Sequence, residues 1–489
     1  MSKFEAIGRR AQAAGRVAGP ALALVWIFYW GADMPHDPRI VLGMAIWMAV
    51  WWMTEAVPLA ATSLLPLIVL PLFTSLGFKA ASASYASSIV FLFMGGFMLG
   101  LALQRWGLHR RLALRMLMVV GSGQRRLVAG FMLVTALLSM WLSNTATTMM
   151  LLPIGVSVVE TYREELERVN PGVAQPAFRA FAAALILGIA YAASIGGMGT
   201  QIGTPPNLIM SGYMREHYQL NLSMIEWMRI GLPVVLILLP AAWLWLCFGA
   251  FRLRPEALPG GRAMLRAKLD ELGPMAPGER RAGAVFVAVA LCWVLRPQLA
   301  DATGLTGLDD AVIALIGATL LFVLPAGDGQ GSRVLDWESA RRLPWDILLL
   351  FGGGLSLAAA ITATGADAPL AAMLGGLGGI PVIALMLLLG LVIVFSGELT
   401  SNTAAATAMM PILTALCTAN GLEPLPVFMV ATLAGSCGFM LPVATPPNAI
   451  AYGSGHVAMG SMIRAGLGLN LICVALIVAY VGLIAFAPG

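Results

Sequence analysis

Long uncharged apolar runs, separated by short polar segments, dominate the chain. Residues 231–251 and 465–487 carry no formal charge. Each is long enough for a helix to cross a hydrocarbon core of about 30 Å, which takes roughly 20 apolar residues. The pattern predicts apolar helices near 17–32, 39–53, 57–76, 87–104, 127–142, 146–159, 179–212 (interrupted at 203–207), 228–251, 283–297, 310–325, 345–363, 380–399, 404–418, 425–455 (interrupted at 444–448) and 465–487, with a basic amphipathic helix at 105–125.

The composition is that of an integral membrane protein, whose apolar surface faces lipid. Of the 489 residues, 59% are hydrophobic and 11% are charged, whereas soluble domains carry roughly 25% charge. This excludes a soluble enzyme, a disordered chain and a nucleic-acid binder. The five cysteines all lie in apolar stretches and form no C-x-x-C pair, so neither zinc nor a disulfide framework is indicated. The sequence has no H-E-x-x-H, P-loop or G-x-S-x-G motif of an enzyme.

Two motifs occur twice, in the same order. Residues 143–154 read SNTATTMMLLPI and residues 401–412 read SNTAAATAMMPI. Each copy is followed by T-P-P-N, at 204–207 and at 445–448. A single copy of either motif would indicate only a helix cap or a kink. Their ordered duplication instead predicts a pair of structural repeats that build a common site.

The distribution of basic residues predicts the topology. We place the N-terminus in the cytoplasm and treat each pair of apolar segments around S-N-T as a re-entrant hairpin. Then 24 Lys and Arg residues lie inside and five lie outside, as the positive-inside rule requires. This gives eleven crossings and an external C-terminus. The first hairpin opens inward and the second outward, which is the arrangement of inverted repeats.

The repeated motifs predict the chemistry of the site. Thr204 and Thr445 each precede Pro, which is typical of an N-cap followed by the first helical residue, and Ser143 and Ser401 are also good caps. Four helix N-termini are therefore expected to converge, each with about half a positive charge, and to suit a divalent anion. Carbonyls freed at the breaks, with Ser, Thr and Asn oxygens, suit sodium. The S-N-T and T-P-P-N segments contain no Lys, Arg or His.

Glu398 lies three residues before the second S-N-T motif, inside an apolar segment. Carboxylates at membrane depth are functional candidates. The sequence leaves a functional and a structural role equally open for this residue.

These features together resemble the divalent-anion/sodium symporter family, which includes the di- and tricarboxylate transporters. The resemblance rests on W-W-M-T-E-A-V-P at 51–58, the paired S-N-T and the paired T-P-P, and it spans nearly the whole chain. It implies an all-α polytopic membrane protein with about eleven transmembrane helices plus two re-entrant helical hairpins in inverted repeats. It also implies a homodimer and an elevator-type mechanism, in which a transport domain moves against a static scaffold.

The resemblance also implies site residues. Substrate carboxylates would be held by Asn144, Thr145, Thr204, Pro205, Asn402, Thr403, Thr445 and Pro446. One sodium site would use Ser139, Ser143, Asn144 and the Gly203 carbonyl, and the other Gly397, Thr400, Asn402 and the Ala444 carbonyl. Gly397 departs from the pattern, because the matching Ser139 offers a hydroxyl and glycine does not. A weaker second sodium site is therefore expected.

The predicted function is sodium-coupled symport of dicarboxylates such as succinate, or of related divalent anions, across a bacterial inner membrane, with sodium as the co-transported ion and no organic cofactor. The nearest alternative is a sodium-independent dicarboxylate exchanger, and from other classes a channel or a membrane-bound enzyme. The predicted organisation is 1–126 (scaffold and interfacial helix of repeat 1), 127–251 (first hairpin and broken helix), 252–282 (cytoplasmic loop), 283–378 (scaffold of repeat 2) and 379–489 (second hairpin and broken helix).

Overall fold

Helices make up the regular structure of the computed structural model, which describes residues 3–120, 123–169, 175–253, 261–305, 307–374 and 380–485. An isolated antiparallel bridge also joins Pro325 and Arg333. The helices are α1 (Lys3–Val25), α2 (His36–Thr54), α3 (Leu59–Thr62), α4 (Leu65–Phe73), α5 (Phe78–Ala83), α6 (Ser88–Arg105), α7 (Leu108–Val120), α8 (Gln124–Ser139), α9 (Asn144–Val169), α10 (Gln175–Gly197), α11 (Pro205–Tyr218), α12 (Met224–Leu244), α13 (Gly261–Asp270), α14 (Pro277–Val294), α15 (Arg296–Thr303), α16 (Asp310–Val323), α17 (Trp337–Ala340), α18 (Trp345–Thr364), α19 (Asp367–Leu374), α20 (Val382–Gly397), α21 (Asn402–Asn420), α22 (Pro424–Gly435), α23 (Pro446–Gly453) and α24 (Met459–Ala485).

Six of the described helical stretches are long and apolar enough to cross a membrane, or seven if the bent pair α14 and α15 forms one span. The six are Gln12–Trp30, Phe78–Arg105, Phe178–Gly197, Met224–Ala250, Trp345–Thr364 and Met459–Ala485. Other apolar helices, including α16, α20 and α22, are shorter. The described residues are therefore those of an all-helical membrane protein with several apolar helices.

The structure differs from the expected helices in several respects. α1 begins at Lys3 and α9 ends at Val169, and the two interruptions lie at 198–204 and 436–445. The apolar stretch 57–76 divides into α3 and α4, because the chain turns at Ser63 and Leu64 before Pro66 enters the first turn of α4. Polar stretches expected to be loops contain the short helices α13, α15, α17 and α19. The expected end of the last helix at 487, and the domain boundary at 378, lie outside the described residues.

The two halves of the chain repeat one order of elements around the S-N-T motifs. In the first half, α8 and α9 pack together, and α10 is separated from α11 by a short non-helical break. In the second half, α20, α21, α22 and α23 follow the same order. The internal repeat seen in the sequence is therefore present in the fold.

The breaks of α10–α11 and α22–α23 lie in the interior of the molecule. The most apolar part of α10 is 94% buried, against 17% for the stretch that includes α1, so α10 is surrounded by protein. It packs against α8, α9 and α23. The Tyr191 hydroxyl on α10 donates to the carbonyl of Phe439, in the second break, at 2.8 Å. The two halves are thus joined beside their breaks.

Candidate substrate and cation site

A cavity of about 240 Å³ lies where the two halves meet. Small-molecule pockets commonly measure roughly 300–1,000 Å³, so this one is sized for a small solute. Its lining takes residues from both S-N-T motifs and from both T-P-P segments, namely Ser143, Asn144, Thr145, Thr204, Pro205, Pro206, Ser401, Asn402, Thr403, Thr445, Pro446 and Pro447. All eight residues expected to hold the substrate therefore lie around one cavity.

Four helices begin at this cavity. Asn144, Pro205, Asn402 and Pro446 are the first residues of α9, α11, α21 and α23, and all four line it. In α9 and α21 the first N–H groups have no partner within the helix and carry partial positive charge. Helices α11 and α23 begin with two prolines, which have no N–H, and contribute through the positive end of the helix dipole. Among the described lining residues none is Lys, Arg or His, and Asp346 is the one acidic residue. The cavity is thus suited to an anion through helix termini rather than through basic side chains.

The four expected N-caps do not behave alike. The hydroxyl oxygens of Ser143 and Thr445 accept hydrogen bonds from the N–H groups of Ala146 and Asn448, at 3.2 and 3.3 Å. Thr204 and Ser401 occupy N-cap positions but make no capping hydrogen bond with their side chains. Their hydroxyls therefore remain available to a bound molecule.

The asparagine of each T-P-P-N motif stabilises the break that precedes it. Asn207 Nδ2 donates to the carbonyls of Gly197 and Thr200, at 3.0 and 2.7 Å. Both asparagines are fully buried. Sequence reasoning assigned these residues no role, although their duplication within the motif was a usable signal.

Oxygen atoms converge beside the first S-N-T motif. One end of the Asn144 side-chain amide lies 2.6 Å from Ser139 Oγ, 3.0 Å from the Ala193 carbonyl oxygen and 3.3 Å from the Gly203 carbonyl oxygen. Ser139 Oγ is also 2.8 Å from the Ala193 carbonyl oxygen. With its nitrogen at this end, the amide donates to all three. With its oxygen there, four oxygen atoms lie close together, and oxygen is the ligand type that suits sodium.

Three of the four groups expected for the first sodium site lie in this cluster. Ser139, Asn144 and the Gly203 carbonyl lie together, and the Ala193 carbonyl joins them. Ser143 instead lies on the cavity side, where it caps α9. Gly203 is needed for this geometry, because a Cβ there would lie 2.4 Å from the Gly197 carbonyl oxygen. A backbone ligand such as Ala193 leaves no signal in a sequence.

The second motif builds a related but different arrangement. Asn402 Oδ1 is buried and has no hydrogen-bond partner among the described residues. A Cβ at Gly397 would lie 2.8 Å from this atom, so glycine is the residue that fits. Ala444 lines the cavity, whereas the Thr400 hydroxyl donates to the Ser396 carbonyl at 3.1 Å. An unpaired buried amide oxygen is costly, and a cation would satisfy it.

Asn448 stabilises the second break by binding two of its backbone carbonyls. Asn448 Nδ2 donates to the carbonyls of Gly438 and Leu441, at 2.9 and 3.1 Å. The Ala444 N–H donates to the same Leu441 carbonyl at 3.2 Å. The loop that presents the Ala444 carbonyl is therefore fixed in the same way as the loop that presents the Gly203 carbonyl.

The model of the sodium:sulfate symporter transmembrane region matches residues 18–485, nearly the whole chain. This chain belongs to the sodium:sulfate symporter family. The expected family membership is thereby confirmed, and with it the expectation that the protein is a transporter rather than an enzyme.

Relatives within the family match over almost their full length. The sodium-dependent dicarboxylate transporter SdcS of Staphylococcus aureus, strain bovine RF122 / ET3-1, is 41% identical over 473 residues, which cover 96% of this chain and 90% of SdcS. The same transporter from strain USA300 is 40% identical over the same shares of the two chains.

Solved transporter structures share the fold at low sequence identity. The MtrF protein of Neisseria gonorrhoeae, described as one of a class of antimetabolite efflux pumps, aligns with a TM-score of 0.59 and 15% identity over 95% of this chain and 97% of its own. The YdaH transporter of Alcanivorax borkumensis aligns with a TM-score of 0.53 and 14% identity over 92% and 99% of the two chains. At this identity the likeness concerns the fold alone.

Further residues lie on the cavity wall without having been expected there. Ser194 and Ser436 add hydroxyls beside the two breaks, and Phe93 and Phe97 add an apolar side from α6. Asp346 comes from the first turn of α18. In the sequence these residues stand outside the duplicated motifs, so nothing marked them as parts of the site.

Proposed function

We propose that this protein carries dicarboxylates such as succinate across the bacterial inner membrane by symport with sodium. The observation that carries the proposal is that four helix N-termini meet at one small cavity, beside the oxygen cluster at Asn144 and the unpaired amide oxygen of Asn402. The first feature suits a divalent anion and the second suits sodium. Relatives about 40% identical over 96% of the chain are named sodium-dependent dicarboxylate transporters.

Charge compensation explains why the two solutes would bind together. A dicarboxylate brings about two negative charges into the membrane, where one charged side chain costs roughly 3 kcal/mol on insertion scales. No basic side chain is among the described residues that line the cavity. Helix N-termini offset part of the charge, and one sodium ion at each S-N-T motif would neutralise the rest. A third sodium ion would make transport electrogenic.

The sodium sites would use both repeats. In the first, Ser139, Asn144 and the carbonyls of Ala193 and Gly203 would surround one ion. In the second, Asn402 Oδ1 and the carbonyls of Gly397 and Ala444 would surround another. Asn144 and Asn402 would then present the other end of each amide to a substrate carboxylate. One side chain would thus contact both solutes in each repeat.

Alternating access would follow from the division of the chain into scaffold (1–126 and 283–378) and transport segments (127–251 and 379–489), joined by the cytoplasmic loop 252–282. The transport segments contain both S-N-T motifs and both breaks, so an elevator motion would carry the whole site. Eleven crossings, two re-entrant hairpins, a cytoplasmic N-terminus and a homodimer complete the proposal.

Uptake of labelled succinate into proteoliposomes, with a sodium or a choline gradient, tests this function. Accumulation above the external concentration in sodium alone is the expected result. Exchange of internal for external succinate at equal rates in both salts would instead identify a sodium-independent exchanger. Equilibration without accumulation would identify a channel. Liposomes with an Asn144→Ala/Asn402→Ala variant provide the matched control and should show no sodium-driven uptake.

A further inference from the structure

Glu398 is buried in a cage of hydrogen-bond donors. Its side chain is 2% exposed and lies just after the end of α20. Oε1 accepts from the N–H groups of Phe439 and Met440, at 2.7 and 2.8 Å, and from Asn470 Nδ2 at 2.7 Å. Oε2 accepts from the N–H of Leu441 at 2.8 Å. Three consecutive backbone amides of the second break are therefore bound to one carboxylate.

The first repeat pairs two of the three equivalent amides with backbone carbonyls rather than with a carboxylate. When the T-P-P-N motifs are aligned, Met198 and Gly199 correspond to Phe439 and Met440. Their N–H groups donate to the carbonyls of Ile195 and Gly196, at 3.1 and 2.9 Å, in the last turn of α10. The position that corresponds to Glu398, three residues before the first S-N-T motif, is Met140.

The second broken helix ends early by the same comparison. α10 ends at Gly197, whose counterpart is Gly438, but α22 ends at Gly435, three residues sooner. The Glu398 carboxylate therefore takes the place of the last turn of α22, because it binds the amides that this turn would have bound. The loop it fixes continues to Ala444.

The donor cage ties the Glu398 side chain to the second break. Its four partners are N–H groups, three of the backbone and one of the Asn470 side chain. Glu398 is not among the described residues that line the cavity, so its effect on a solute there is indirect and passes through the loop that it binds.

We propose that Glu398 is a positioning residue of the second sodium site. It holds the loop that presents the Ala444 carbonyl, and its charge lies one residue from Gly397, where the second repeat lacks the hydroxyl that Ser139 supplies in the first. The second site then binds sodium without that hydroxyl. This inference rests on the proposed function, since it assumes that Asn402, Gly397 and Ala444 surround a sodium ion.

The test compares Glu398→Gln and Glu398→Asp with the unmodified protein. Two quantities are measured: the sodium concentration that gives half-maximal succinate uptake, and the sodium-dependent rise of the thermal unfolding midpoint without succinate. A hydrogen bond to a charged group is worth enough to change affinity by about tenfold or more. We expect Glu398→Gln to raise the half-saturating sodium concentration by at least about tenfold, while the succinate KM at saturating sodium changes far less. Glu398→Asp, which keeps the charge, should recover part of the loss.

Glu279→Gln is the matched control. Glu279 is also a buried carboxylate, 3% exposed. Its Oε1 lies 2.6 Å from Arg111 Nε, and neither residue lines the cavity. Its loss should lower the unfolding midpoint without changing the half-saturating sodium concentration. A purely structural role for Glu398 would give the same result.

Several outcomes would overturn the proposal. One is a folded Glu398→Gln variant with unchanged sodium dependence, and another is an equal loss of sodium affinity in the Gln and Asp variants. The others are failure of both variants to fold, and uptake that is driven by a proton gradient and abolished by Glu398→Gln. An unmodified protein that shows no sodium dependence refutes the proposed function itself. If uptake by the unmodified protein depends on sodium and Glu398→Gln leaves this dependence unchanged, only the role of Glu398 is refuted.

Discussion

Asn207 and Asn448 make the same pair of hydrogen bonds in two different broken helices. Each donates through Nδ2 to two carbonyls of the loop that precedes its own helix, at 2.7–3.1 Å. Both are fully buried. The two loops that reach the cavity are therefore held by one device, used twice, and the site depends on it in both repeats.

Replacement of either asparagine by alanine should loosen its loop. Asn207→Ala and Asn448→Ala each remove a donor shared by two carbonyls, which costs about 1–3 kcal/mol. The Thr200 and Leu441 carbonyls keep a second donor, the N–H of Gly203 and of Ala444. We expect a lower thermal unfolding midpoint and weaker succinate binding in both variants. Asn221→Ala, in an exposed loop, is the control and should behave as the unmodified protein. Wild-type stability and binding in both buried variants would show that the loops are held by other contacts.

Asn144 should separate sodium binding from substrate binding. Asn144→Ala removes both ends of the amide, and loss of a hydrogen bond to a charged group costs roughly 1.5–3 kcal/mol, about tenfold to over a hundredfold in affinity. Asn144→Asp keeps an oxygen for the cation but loses the donor for a carboxylate. We expect the Asp variant to retain sodium-dependent thermal stabilisation and to lose succinate affinity, as measured by calorimetry. Equal loss of both in the two variants would contradict this division of roles.

Single cysteines should report the topology. In a background that lacks the five native cysteines, Glu271→Cys in the loop after α13 should react with an impermeant maleimide only from the cytoplasmic side. Asn221→Cys, between α11 and α12, should react only from the periplasmic side. Both residues are exposed. Labelling of the two positions from one side would rule out the inverted topology.

Arg215 should influence the rate of transport rather than the affinity for sodium. It lies on α11 and pairs with Asp309 at 3.1 Å, beside a hydrogen bond to Ser88 at the start of α6. These contacts join a proposed transport segment to proposed scaffold segments, so an elevator motion must break them. Arg215→Gln should therefore change the maximal uptake rate several-fold and the half-saturating sodium concentration by less than about twofold.

The control for Arg215 is an ion pair that bridges no such boundary. Arg341→Gln breaks an exposed pair with Glu338 within one polar segment, and it should leave uptake unchanged, because exposed pairs contribute little. An unchanged rate in Arg215→Gln would mean that the contacts of this side chain do not limit the motion.

Duplicated side-chain motifs carried most of what the sequence could predict. S-N-T and T-P-P-N predicted a break in each repeat and many of the residues around the cavity, because N-caps and prolines favour a helix start through residues next to them in the sequence. The Ala193 carbonyl could not be foreseen, since it reaches the Ser139 cluster only through the packing of α8 on α10. That packing is close: a Cβ at Gly196 would lie 2.4 Å from the backbone of Ala136.

The role of Glu398 was left open by the sequence for a similar reason. Its partners, the amides of Phe439, Met440 and Leu441, are about forty residues away along the chain. Which donors surround a buried carboxylate depends on tertiary structure rather than on local pattern. The break between α3 and α4 was missed because an apolar composition does not distinguish one helix from two.

Binding of succinate to the purified protein in sodium and in choline tests the central claim most directly. If bound sodium ions neutralise the charge of the bound dicarboxylate, the affinity for succinate must rise with the sodium concentration. The affinity for sodium must then rise with the succinate concentration by the same factor. Isothermal titration of each solute, at several concentrations of the other, measures both factors. We expect reciprocal enhancement that is weakened by Ser139→Ala. Equal succinate affinity in sodium and in choline would contradict the account and favour the sodium-independent exchanger.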